Sequence, residues 1–106
     1  MELEVQAQHS EVHPRWRAII DRRAAKVSEL CSDILRLHVT LVHSTHHLRG
    51  DEEVRLLASL ANETLRVQKA AADMGDAIHA AFAALEHEIQ GFVERRRDLK
   101  RKGNRP

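Results

Sequence analysis

The chain reads as all-α: a long antiparallel two-helix hairpin, coiled-coil-like, that forms a four-helix bundle by oligomerisation. Three observations predict this. The 106 residues are rich in Ala, Leu, Glu and Arg, with two Pro and four Gly, which favours helix over sheet. Apolar residues recur in an alternating four–three rhythm along most of the chain, the signature of a heptad seam. Near the middle, His46-His47-Leu48-Arg49-Gly50-Asp51-Glu52-Glu53 has the chemistry of one helix ending and another starting. Gly50 suits the left-handed position after a helix C-terminus, Asp51 suits an N-cap, and the charges on either side complement the two helix dipoles.

Residues 1–13 carry only Leu3, Val5, Ala7 and Val12 as apolar positions and set no clear period, so they read as a flexible or loosely helical arm. Pro14 then opens helix 1, since a first-turn Pro lacks only an N–H that would be unpaired anyway.

Helix 1 is expected over about 14–49, with a seam of Trp16, Ile20, Arg23, Val27, Leu30, Ile34, Leu37, Leu41, Ser44 and Leu48. Helix 2 is expected over about 51–100, its seam running from Val54 and Leu57 to Ile89, Phe92, Arg96 and Leu99. That seam is thin at Thr64, Gln68, Ala71 and Gly75, and the Ala-rich block 70–84 implies close helix approach. Residues 102–106 read as a disordered basic tail, leaving 14–101 as the hairpin. At about 1.5 Å per residue the helices span roughly 54 and 75 Å, so helix 2 overhangs with Ile89 and Phe92 uncovered.

A lone hairpin buries one stripe of each helix and is marginal. Near the turn a second row, Leu35, Val39 and Val42, lies on another side of helix 1, and helix 2 is also widely apolar there, with Leu56 and Leu65, which predicts a helical partner. The protein-interface set is therefore Trp16, Leu35, Val39, Val42, Leu56, Leu65, Ile89 and Phe92, and the partner a second copy in a homodimer or another helical subunit. Trp16 reads as the residue capping the open end of the hairpin. Arg23, at a seam position, calls for a carboxylate, with Asp73 or Asp76 as candidates.

Two clusters suggest chemistry. His43 and His47 share a helix face, with His46 beside them, a spacing that can hold one divalent metal. The alternative is a polar helix end in which His is the local choice. His13 and His87 also fall opposite each other in the folded-back register. Arg95, Arg96, Arg97, Lys100, Arg101 and Lys102 form a basic run that could neutralise nucleic-acid phosphates or simply complement a helix C-terminus. It follows a stretch, residues 51–94, with nine acidic and three basic residues. No aromatic interleaves the basic run, so base stacking has no support.

The function classes narrow accordingly. No nucleophile–base pair or glycine-rich phosphate loop appears, so a non-enzymatic role is expected, with neither a cofactor nor a small-molecule substrate. Three aromatics, Trp16, Phe82 and Phe92, give little to hold a flat cofactor. The single cysteine, Cys31, excludes an intrachain disulfide and reads as a small buried hydrophobe. No secretory signal and no apolar run of membrane length are present, so the expected location is the cytoplasm, or the nucleus in a eukaryote. The expected role is a helical assembly or adaptor subunit. The alternatives are a nucleic-acid-associated helical protein using the basic tail, and a metal-binding bundle using His43, His46 and His47.

Overall fold

The computed structural model describes residues 1–8, 11–43 and 52–103, with side chains through residue 99. It is an α/β fold: β1 (Glu2–Gln8), α1 (Pro14–Leu30), β2 (Arg36–His43), β3 (Glu52–Ser59), β4 (Thr64–Ala71) and α2 (Met74–Gly103). The all-α hairpin is therefore wrong, and with it the four-helix bundle.

The reason lies in residues 36–71. Leu37, Val39 and Leu41 are buried, while Arg36, His38, Thr40 and Val42 between them are exposed or half-buried. Val54, Leu56 and Ala58 repeat the pattern on β3. That is period two, and every second turn of a strand pattern also satisfies a four-residue step, so Leu37 and Leu41 fit both templates. The β-branched Val39, Thr40 and Val42 favour the pleated form.

Where the seam is a true helical one it corresponds to helix. Ile20 and Val27 line the inner face of α1, with Trp16 and Arg23 half-buried at its edge, and Ile78, Phe82, Leu85 and Ile89 line that of α2. α1 stops at Leu30, with Cys31 already extended at φ −150° and ψ 106°. The arm expected at residues 1–13 begins as β1, paired along its whole length.

The sheet has order β1-β2-β3-β4. β1 runs parallel to β2, from Glu2↔Arg36 to Gln8↔Val42, and α1 makes the crossover between them. β2–β3 and β3–β4 are antiparallel, with Leu41↔Val54 and Ala58↔Leu65 among the pairs. The chain does reverse between His43 and Glu52, but it joins two strands, and Gly50 and Asp51 lie outside the described residues.

One parity of each strand enters a single core with both helices, so the helices share one face of the sheet and the other face is open. Phe82, Ile20, Ile34, Leu37, Leu56, Ile78, Leu85 and Ile89 are its largest fully buried side chains.

The helices run side by side in the same direction. At their N-terminal ends the two helices meet where Gly75 lies beside the Trp16 ring, which a Cβ on Gly75 would touch at an ordinary 3.4 Å. Further along, Arg23 reaches Glu86 at 2.7 Å. α2, at about 1.5 Å per residue, is roughly 45 Å long and projects past strands of roughly 27 Å.

Candidate nucleic-acid interface

Basic side chains line the outer face of α1 and the C-terminal end of α2. On α1, Arg15, Arg22 and Lys26 stand at i, i+7 and i+11, within about 40° of one another around the helix axis, and all are exposed. The buried arc of α1, through Ile20, Ala24 and Val27, lies on another side. Arg23 sits between the two, at the seam with α2.

Much of this charge is answered locally. Glu86, on the flank of α2 that meets α1, accepts from Arg23 Nη2 at 2.7 Å and pairs with Lys26 Nζ at 3.1 Å. Only 13% of the Glu86 side chain is exposed, against 59% of Lys26, so the carboxylate is the anchored partner and the lysine the loose one. Arg23 also donates to His79 Nδ1 at 3.2 Å and lies over the Phe82 ring, 5.8 Å from its centroid. Arg17 is tied to Asp21 at 2.9 Å. Arg15 instead lies over Trp16 at 4.9 Å, while its backbone N–H is capped by His13 Nδ1 at 3.1 Å. Among the described residues Arg22 forms no ion pair.

The projecting end of α2 carries the basic run. Arg95 reaches Glu63 in the β3–β4 turn at 3.5 Å, and Arg96 pairs with Asp33 in the α1–β2 loop. All four side chains are 41–61% exposed, where such pairs contribute about 0–1 kcal/mol and exchange readily for an external anion. Arg97 has no ion pair among the described residues and lies on the α2 flank that continues from His79 and Glu86 beyond the end of α1. The side chains of Lys100, Arg101 and Lys102 lie outside the described set.

Two hollows lie apart from the helical surface's α1 stripe. One, of about 510 Å³, lies under the projecting α2 and is lined by Asp33, Leu35, Leu60, Phe92 and Arg96 among others. The other, about 330 Å³, is a shallow depression on the open sheet face around His38, Thr40, Arg55, Arg66 and Gln68.

The predicted interface residues do not come together. Val39, Leu56, Leu65 and Ile89 are buried in this chain's own core. Val42 is half-buried on the opposite parity of β2, Leu35 is 61% exposed in the α1–β2 loop, and Phe92 is half-buried under α2. Leu35, Val39 and Val42 share a row only on a helix, whereas a strand turns Val39 and Val42 to opposite faces. Trp16 sits at the start of both helices, beside Gly75.

Of the proposed metal ligands, His43 pairs with Glu52 across β2 and β3, and His46 and His47 lie outside the described residues. No group of three or more His, Cys, Asp or Glu side chains that could hold a metal ion is present among the described residues. His13 caps α1, whereas His87 is exposed farther along α2, so the two do not meet. Arg23 finds Glu86 rather than Asp73, which instead accepts from Asp76 N–H at the start of α2. Glu86 and the α1 stripe are the features that sequence reasoning missed. The signal for Glu86 was the seam arginine itself, which required a carboxylate without specifying which.

Residues 3–97 match the family described as Sigma 54 modulation protein / S30EA ribosomal protein. The chain belongs to this family. Two solved structures share the fold of this S30EA family member. A ribosomal subunit interface protein from Coxiella burnetii aligns with a TM-score of 0.79 at 16% identity, covering 89% of this chain and 99% of its own. The N-terminal domain of Protein Y from Thermus thermophilus aligns with a TM-score of 0.72 at 22% identity, covering 87% and 99%. No curated protein sequence matches the chain.

Membership in a ribosome-associated modulation family overturns the helical-bundle adaptor, and the helical partner subunit falls with it. The small helical nucleic-acid protein falls as well, because the family fold is α/β. No described helix of this S30EA family member is long and apolar enough to cross a membrane.

Proposed function

We propose that this S30EA family member is a non-enzymatic ribosome-binding protein of the cytoplasm that docks between the ribosomal subunits and acts by occupying that site. The observation that carries the reading is the family match over residues 3–97, together with a helical layer whose outer surface presents Arg15, Arg22, Lys26 and Arg97. Cations on a rigid face neutralise ribosomal RNA phosphates and release counterions, and this requires neither a base-specific contact nor an aromatic platform. Arg95 and Arg96 join by exchanging their exposed carboxylate partners for phosphate. Lys100, Arg101 and Lys102 follow them in sequence.

Cosedimentation with purified ribosomes and with separated subunits over a salt series tests the reading. Binding should weaken steeply with salt. Arg22→Glu combined with Arg97→Glu should flatten the log–log salt dependence by about 0.7–0.9 per lost phosphate contact. Removal of residues 100–106 should flatten it further. Failure to cosediment at low salt, or binding indifferent to salt and to these changes, would rule the reading out.

A further inference from the structure

The two edges of the sheet are treated differently. β4, at one edge, places Lys69 at a core-facing parity, in line with Leu65 and Val67, yet Lys69 is exposed. An inward-pointing charge on an edge strand opposes pairing with another chain. β1, at the other edge, has Leu3, Val5 and Ala7 at its core-facing positions, all half-buried. It contains no Pro, Lys or Arg, and its register with β2 runs unbroken from Glu2 to Gln8.

The backbone pattern shows what this edge can accept. Glu2 N–H bonds to Leu35 C=O at 2.9 Å, so the even-numbered residues of β1 turn their N–H and C=O towards β2. Those of Leu3, Val5 and Ala7 point away from the sheet. A strand with only three such residues, symmetric about Val5, can pair with its own copy in antiparallel register.

We propose that β1 is a self-association edge, and that two copies of this chain join β1 to β1 across a two-fold axis at Val5. Val5 then pairs with Val5, and Leu3 with Ala7, and every outward N–H and C=O of these residues gains a partner. On the open face, Glu4 lies opposite Gln6 and Glu2 opposite Gln8, so no two carboxylates are directly opposed. On the core face, the half-buried Leu3, Val5 and Ala7 cover one another. The result is a continuous sheet with both helical layers on the same side, joined by strand edges and not by helices.

Sedimentation equilibrium of the full chain over a concentration series is the test, with circular dichroism of each variant. The wild type should show a concentration-dependent dimer. Gln6→Lys gives Glu4 an opposite charge at two symmetric positions and should tighten the dimer by a factor of about two to thirty. Gln6→Glu should loosen it by a similar factor. Val5→Pro removes an N–H that faces away from β2, which an edge strand tolerates, and should give a folded monomer. A monomeric mass at every concentration, or a dimer indifferent to the charge at position 6, overturns the proposal even if Val5→Pro fails to fold.

Discussion

Replacing Glu86 by Gln should lower stability and raise ribosome affinity together, because one carboxylate both holds the helices and cancels two cations. The stability change has two parts. The Arg23–Glu86 hydrogen bond is 2.7 Å long between side chains 23% and 13% exposed. A net contribution of about 1.5–3 kcal/mol is typical for such a charge-assisted bond. Gln retains an acceptor for Arg23, so only the charge-dependent share is lost, on the order of 1–2 kcal/mol. Lys26, with 59% of its side chain exposed, adds no more than a few tenths of a kcal/mol.

For a chain of this size, that loss corresponds to a fall in Tm of about 4–12 °C. The same change frees Lys26 and gives the outer surface one more net positive charge. The salt dependence of ribosome cosedimentation should steepen by about 0.7–0.9 if one further phosphate is engaged. Differential scanning calorimetry and a cosedimentation salt series measure the two effects on one preparation. An unchanged Tm would mean that Glu86 does not anchor the α1–α2 seam. Lower stability with unchanged or weaker binding would mean that the ribosome does not approach from the helical side.

Two core predictions follow from the burial pattern. Val39→Asp places a carboxylate at a position with no exposure and should cost more than about 4 kcal/mol, abolishing the cooperative thermal transition, whereas Leu35→Asp at 61% exposure should shift stability by no more than about 0.5 kcal/mol. Comparable losses from the two would contradict the strand assignment of residues 36–43. Phe82→Ala empties the largest fully buried side chain and should destabilise the chain by about 3–5 kcal/mol in urea denaturation; a loss below about 1 kcal/mol would place Phe82 outside the core.

The helices were legible in the sequence because their signals are local. Pro14 at the start of α1 and the rhythm Ile20–Arg23–Val27 need only one helix to be understood. The strands were not legible, because Leu35, Leu37, Val39 and Leu41 satisfy alternation and a four-residue step equally, and tertiary pairing decides between them. Ser32 and Asp33, and Asn62 between Leu60 and Glu63, were the available turn signals. They are weaker punctuation than a Gly or Pro. Of the candidate interface, the run Arg95–Arg96–Arg97 was visible because it is contiguous. Arg15, Arg22 and Lys26 acquire meaning only when α1 is known to stop at Leu30 and to lie beside α2 with its outer face free.

The parallel pairing of β1 also bears on the order in which the protein folds. β2, β3, β4 and α2 are successive neighbours, and Ser59 and Thr64 pair across a short turn. β1 can dock only after the chain has closed over the 34 residues that separate Glu2 from Arg36, a loop that α1 must already span. In the monomer this edge strand is therefore expected to join last and to detach first. Its amides should exchange with solvent ahead of those of β2 and β3, through openings smaller than global unfolding.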